Sequence, residues 1–233
     1  MGAPASGASL LLVEDDDSIR ELLASALRFV GHRIETAATG PDGLNAAVAR
    51  EFDLIVLDVG LPGIDGFELC RLLRQRGDVT PVIFLTARRE AEDLRTGFEG
   101  GGDDYVVKPF GLEELTLRID AVLRRTRIPN QVERSVLRCG DLGVDEAARR
   151  VHQGDREVKV TPTEFRVLAA LLASPGAVLS KSQILERAWG YDFDGDERIV
   201  ETYVSAIRQK LDPNGSAQLH TVRGFGYTIR TEP

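Results

Sequence analysis

Leu10-Leu11-Leu12-Val13-Glu14-Asp15-Asp16-Asp17 runs four apolar residues straight into four acids. Behind it Ile19, Leu22, Leu23, Ala26, Leu27 and Val30 recur at helical spacing, so the stretch reads as a strand followed by an amphipathic helix. Further apolar runs at 54–57, 82–85 and 105–107 read as strands, with helical patterns near 44–48, 67–73, 91–98 and 112–123 between them. Such alternation predicts an α/β unit, a doubly wound parallel sheet with helices on both faces.

The acids stand at the ends of these strands: Glu14, Asp15 and Asp16 after the first, Asp58 after the third. Open parallel sheets bind ligands beyond the carboxyl ends of their strands, where the strand order reverses. With the order 2-1-3-4-5, borrowed from other doubly wound sheets, the first and third strands flank that point and the acids converge. Carboxylates forced together repel one another unless a divalent cation neutralises them. Oxygen ligands with room for water suit magnesium. Taken alone, Glu14 to Asp17 has an equally good reading as acids capping the following helix.

Helical periodicity stops between Arg124 and Val136, where charged residues, Pro129, Asn130 and Gln131 mark a short linker. Beyond it, 142–144 and 158–160 are weak strand candidates. Thr161-Pro162-Thr163-Glu164 fits a capping box with proline at the first helical position, and that helix buries Phe165, Leu168, Leu171 and Leu172. Ser180 caps a second helix ending near Trp189. A third runs from Glu197 to Leu211 with Ile199, Val200, Val204, Ile207 and Leu211 inward. A hairpin closes the chain, its strands at 219–223 and 227–230 joined across Gly224-Phe225-Gly226. The expected organisation is a tail over 1–8, an α/β domain over 9–127, a linker over 128–136 and an α+β domain over 137–231.

Composition narrows the function. The 233 residues suffice for two domains, and 42% hydrophobic with 28% charged residues is the balance of a soluble globular protein. Cys70 and Cys139 fall in different halves without CxxC spacing, against a disulfide framework or zinc site and in favour of a reducing cytoplasm. Residues 1–9 carry no basic region and 10–13 is too short for a signal core or a membrane span; Met1, Gly2 and Ser6 fit a myristoylation pattern that is too short to outweigh this. The net charge of −8 is unevenly placed: residues 1–127 hold 15 basic against 22 acidic side chains, a net −7. Contact with nucleic acid therefore needs a local basic surface in the second half, from residues such as Arg198, Arg208, Lys210 and Arg223.

Thr86 after the fourth strand and Lys108-Pro109 after the fifth complete a set that resembles the receiver domain: Val13-Glu14-Asp15-Asp16, Leu57-Asp58-Val59, Leu61-Pro62-Gly63, Asp65-Gly66, Leu85-Thr86-Ala87 and Asp104-Tyr105-Val106-Val107-Lys108-Pro109-Phe110. The resemblance implies that Asp58 takes a phosphoryl group. Mg2+ would be held by Asp15 and Asp58 directly, by Glu14 through water and by the Gly60 carbonyl. Lys108 and the Thr86 hydroxyl would bind phosphoryl oxygens, and Tyr105, otherwise a half-buried strand aromatic, would act as a switch with Thr86. His32, His152 and His220 suggest no phosphohistidine, so the donor is a separate sensor histidine kinase. Activation in the family pairs two receivers through the helix near 91–98, the strand at 105–107 and the helix at 112–123. Asp104 with Arg118, and Asp103 with Arg125, keep candidate cross-dimer ion pairs. Leu94 and Asp120 replace usual basic residues, leaving Glu114 and Glu99 without their usual counter-ions, and Gly100-Gly101-Gly102 loosens the preceding helix.

The second half resembles the winged helix-turn-helix of the OmpR/PhoB family, on Thr161-Pro162-Thr163-Glu164-Phe165, Leu179-Ser180-Lys181, Trp189, Val200-Glu201-Thr202-Tyr203-Val204, Arg208-Gln209-Lys210-Leu211 and Thr221-Val222-Arg223-Gly224-Phe225-Gly226-Tyr227. The third helix is then expected in the major groove of double-stranded promoter DNA. Arg198, Thr202, Tyr203, Ser205, Arg208, Gln209 and Lys210 are its candidate DNA contacts, with Arg223 on the wing. Ser205 and Ala206 stand where many relatives carry arginine, which lowers expected phosphate affinity. Asp192, Asp194 and Asp196 imitate an EF-hand start, but Glu197 and Tyr203 break the pattern; the resemblance assigns this loop to RNA polymerase. The expected function is a DNA-binding response regulator that dimerises when phosphorylated. A magnesium phosphatase using Asp58 as nucleophile lacks a second acid two residues on, where Gly60 stands. A constitutive DNA binder with idle acids is the other alternative.

Overall fold

The structure is a computed structural model that describes residues 7–87, 101–126, 136–190, 197–211 and 217–231. Expectations for the helix at 91–98 with Leu94 and Glu99, for Gly100, for 128–135 and for Asp192, Asp194 and Asp196 lie outside those residues, as does the side chain of Arg125. The chain divides into two compact units, 1–126 and 127–233.

In the first unit five parallel strands, β1 (Ser9–Val13), β2 (Arg33–Ala37), β3 (Leu54–Asp58), β4 (Val82–Thr86) and β5 (Asp104–Val107), lie in the order β2-β1-β3-β4-β5. The helices are α1 (Asp17–Phe29), α2 (Gly40–Ala49), α3 (Gly66–Gln75) and α4 (Leu112–Thr126). Side chains alternate across a strand, so each strand feeds two cores. Leu10, Leu12, Leu54, Val56, Ile83 and Leu85 pack with α1 and α4 through Leu23, Leu27, Leu115 and Ile119. Leu11, Val13, Ile55, Leu57, Val82 and Phe84 pack with Leu69 and Leu73 of α3. Because both faces are covered, the strands read as unbroken apolar runs. β2 is the exception that sequence patterning misses: at the sheet edge, Arg33-Ile34-Glu35-Thr36-Ala37 buries only Ala37 fully, and its place is fixed by pairing along the whole of β1.

Register brings the strand ends together. Val13 lies opposite Leu57, Asp58 opposite Leu85 and Thr86 opposite Val107. Gly66 opens α3 against the backbone of β3, where a Cβ would lie 2.2 Å from the Asp58 carbonyl oxygen; no larger residue permits that approach.

The second unit opens with an antiparallel meander, β6 (Val136–Cys139), β7 (Leu142–Asp145), β8 (Arg150–Gln153) and β9 (Arg156–Val158). Only the regions of β7 and β9 carry a sequence signal; β6 and β8 are short, with exposed residues that the pairing itself orders. The meander begins at Val136, within the stretch expected as linker. Helices α5 (Pro162–Leu172), α6 (Lys181–Trp189) and α7 (Ile199–Lys210) follow. The expected caps form: Thr161 and Glu164 exchange bonds of 3.3 and 2.7 Å, and Ser180 pairs reciprocally with Gln183 at 3.2 and 2.9 Å. The hairpin β10 (Ala217–Val222) and β11 (Gly226–Thr231) packs its turn against the chain before α6. Leu179 and Tyr227 exchange backbone bonds of 2.9 Å, and a Cβ on Gly226, at φ 144°, would meet the Leu179 oxygen at 1.9 Å.

Candidate functional site

The first unit gathers its acids at one end of the sheet. Asp58 ends β3 with 5% of its surface exposed, Glu14 follows β1 at 1%, and Asp15 beside it is exposed. Each offers a carboxylate oxygen, and the three oxygens lie within 4.8 Å of one another. Lys108, which follows β5, places its ammonium 2.8 Å from Glu14 Oε2 and 2.8 Å from Asp58 Oδ1. The Gly60 amide donates to Asp58 Oδ2 at 3.0 Å. Thr86 is buried at the end of β4, and Tyr105 lies half-buried on β5 against the α3-side core.

The helix-start alternative applies to two acids of the run, Asp16 at the N-cap and Asp17 in the first turn. Asp16 Oδ1 accepts the Ile19 amide at 2.9 Å and caps α1. Glu14 and Asp15 face the site. Arg20, not singled out from sequence, holds their backbone from behind by donating to the carbonyls of Glu14 at 2.8 Å and Asp15 at 3.2 Å.

Burial pushes the Glu14 carboxyl above the usual carboxylate range; the Lys108 bond opposes this and the Asp58 charge adds to it. Burial pulls Lys108 down, but hydrogen bonds to Asp58 and Glu14 and their charges outweigh it and hold the ammonium above its ordinary value. Lys108 is thus the resident counter-charge of a pocket rich in anionic oxygen. Three convergent carboxylates fit a hard, oxygen-seeking divalent cation of the magnesium type.

Three residues assigned from sequence to a pairing face, Asp104, Arg118 and Asp103, are engaged within the chain. Asp104 Oδ1 accepts Arg118 Nη1 at 3.2 Å and the Tyr105 amide at 2.8 Å. Asp103 corrects the expectation: at 1% exposure it lies inside, its Oδ2 accepting the Val82 amide at 3.1 Å with Arg74 Nη2 at 3.5 Å. It ties β4 to β5, and its carboxylate is withdrawn from the outer face.

In the second unit Arg198, Ser205, Arg208 and Gln209 are exposed on α7 and Arg223 on the wing. Thr202 and Tyr203 are corrections, at 3% and 1% exposure. Tyr203 falls on the inward stripe set by Ile199, Val200, Val204 and Ile207, and its ring meets Trp189 edge-on at 5.0 Å. Arg208 is held by β10, donating to the Leu219 carbonyl at 2.9 Å and Thr221 Oγ1 at 2.8 Å. Lys210 turns to the buried Glu164 carboxylate, 2.6 Å away, so it fastens α7 to α5. Sequence reasoning also passed over Glu201, exposed on the same helix and ion-paired with Lys181; its signal is its spacing from Ser205, Arg208 and Gln209. No described helix is long and apolar enough to cross a membrane.

Residues 10–120 match the response regulator receiver domain family, and 155–229 the family described as transcriptional regulatory protein, C terminal. Response regulator MprA of Mycobacterium tuberculosis is 42% identical over 225 residues, which cover 96% of this chain and 98% of that protein. MprA of Mycobacterium leprae is also 42% identical, over 96% and 99%. Among solved structures, a mutant of RitR aligns over 97% of this chain and 100% of its own, with TM-score 0.74 and 28% identity. The response regulator DrrB of Thermotoga maritima, an OmpR/PhoB homologue, aligns over 96% and 99%, with TM-score 0.50 and 32% identity.

Proposed function

The chain belongs to the two-component response regulators that join a receiver domain to an OmpR/PhoB-type DNA-binding domain, and on that premise we propose that Asp58 accepts a phosphoryl group from a partner sensor histidine kinase and so controls promoter binding. One observation carries this reading: a buried carboxylate at the end of β3 is bonded to an ammonium and lies within chelating distance of two further carboxylates.

In the proposed step an Asp58 carboxylate oxygen attacks the phosphorus of a phosphohistidine in line. The new O–P bond forms as the P–N bond breaks, and the imidazole nitrogen keeps the electron pair. Such transfers depend mainly on positioning and charge neutralisation. Lys108 supplies one positive charge by exchanging its Asp58 bond for a phosphoryl oxygen while keeping Glu14. Thr86 donates its hydroxyl to another oxygen, and Tyr105, on the neighbouring strand two residues before Thr86's partner Val107, follows that movement. Glu14, Asp15, Asp58 and the Gly60 carbonyl would hold Mg2+, which supplies further neutralisation of the phosphoryl oxygens when bound.

The added charge of roughly −1.5 to −2 then biases a surface that pairs two receivers. Arg118, bonded to Asp104 within one chain, is placed to exchange that partner for one across a dimer. Two DNA-binding units so joined reach paired half-sites on promoter DNA in the cytoplasm, and the acidic sequence around 192–196 is assigned to RNA polymerase.

The test is direct. Full-length protein incubated with Mg2+ and acetyl phosphate gains one phosphoryl mass increment, stable to acid and labile to base, on Asp58; Asp58→Ala gains none. Wild-type protein without the increment, or promoter occupancy unaffected by donor and by Asp58→Ala alike, overturns the reading.

A further inference from the structure

The exposed face of α7 is a single stripe. Arg198 at the N-cap, Glu201, Ser205 and Arg208 follow one another at three- and four-residue steps, Gln209 lies four beyond Ser205, and all are exposed. Within that stripe Arg208 is already bonded to Leu219 and Thr221, while Thr202 and Tyr203 are buried. The base-reading chemistry therefore moves toward the first turn. There Glu201, with 54% of its side chain exposed, is ion-paired through Oε1 with Lys181 at the start of α6. Both residues line one open cleft of about 540 Å³ with Ser180, Thr221, Arg223 and Tyr227. A carboxylate among the groups that meet an anionic duplex costs non-specific affinity, so its presence on this face calls for a compensating role.

We propose that Glu201 is a specificity-determining residue that accepts the exocyclic amino group of a cytosine in the major groove, with Lys181 holding the carboxylate in its reading position. An ionised carboxylate is acceptor-only. Of the major-groove donors, cytosine N4 is the one matched by a lone acceptor, whereas adenine adds an acceptor at N7 that a carboxylate repels. The Lys181 ammonium occupies one oxygen and neutralises part of the charge near the phosphates, which leaves the other oxygen for the base. Lys181 is thus a positioning residue, and Glu201 touches the DNA.

The inference rests on the DNA-binding reading of the second unit and is tested with full-length protein and a randomised double-stranded DNA library. Wild-type protein selects a half-site in which one position is a C·G pair of fixed orientation. Glu201→Ala loses roughly tenfold or more of the discrimination at that position alone and binds random duplex more tightly. Glu201→Gln, nearly isosteric and able to donate as well as accept, shifts the preference at that position toward adenine. A structural or purely electrostatic role does not move one base preference in that way. If all three proteins select the same sequence, or if Glu201→Ala flattens every position equally, the inference is overturned. If wild-type protein enriches no sequence, the DNA-binding reading fails first.

Discussion

At the scale of single residues, the molecule sets two protonation problems with opposite solutions. At the acidic pocket the fold places Glu14 and Asp58 in a poorly hydrated setting and offsets them with Lys108. A bound divalent cation relieves repulsion that one ammonium leaves partly unmet. Mg2+ at about 100 times its dissociation constant is therefore expected to stabilise the native state by about 2.7 kcal/mol. Asp15→Asn removes most of that gain. Thermal unfolding with Mg2+ and with EDTA measures it, and identical midpoints would exclude the site. The Cys70 thiol is buried in the α3-side core. Burial pushes its thiol up to about 11 from about 9, so the folded state keeps a proton that the unfolded chain releases. That contribution is whole below about pH 9 and is lost as pH rises through about 11, amounting to roughly 2 kcal/mol by pH 10.5. Urea midpoints of wild type and Cys70→Ala at pH 8.5 and 10.5 check it: the wild type is expected to lose more. Asp58 and Lys108 were legible in the sequence because each ends a recognisable strand. Arg74 and Glu201 were not, since each acts on a partner that only folding brings near.

At the scale of elements, what the sequence left ambiguous was the facing of α7. A helix of this kind has an inward stripe and an outward one, and an aromatic or threonine at the boundary carries no label for either. Packing against Trp189 places Tyr203 inside. Tyr203→Ala is accordingly expected to cost about 3–5 kcal/mol of stability, as truncation of a buried aromatic does, where a DNA contact would lose affinity with stability unchanged. Denaturant unfolding separates the two outcomes. The caps of α5 and α6 were readable, because Thr161–Glu164 and Ser180–Gln183 are local three-residue spacings whose bonds form within the helix start. β2, β6 and β8 were not. Their residues are too mixed to show alternation, and their hydrogen bonds go to strands that already exist.

At the scale of the whole molecule, two units each with its own core carry separate chemistries on one chain. The first unit holds most of the chain's net negative charge, and the exposed basic groups Arg198, Arg208 and Arg223 belong to the second. The proposed coupling runs through a change in assembly, with the half-buried Arg118 as its lever: its guanidinium serves Asp104 and Glu114 in one chain. Sedimentation of the protein with Mg2+ and acetyl phosphate is expected to show more dimer than without donor. Arg118→Ala is expected to weaken that dimer by roughly an order of magnitude while Asp58 still labels. Labelling without any change in association would remove this face from the mechanism. The order of apolar runs, acids and turn residues determined by itself that a doubly wound sheet precedes a helix-rich unit with a hairpin, since periodicity and strand-end chemistry are local properties. Tertiary structure alone decided which charged groups are spent inside the fold. Asp103, Arg208 and Lys210 find their partners across 21, 11 and 46 residues, and a side chain's availability depends on such distant neighbours, which no local pattern encodes.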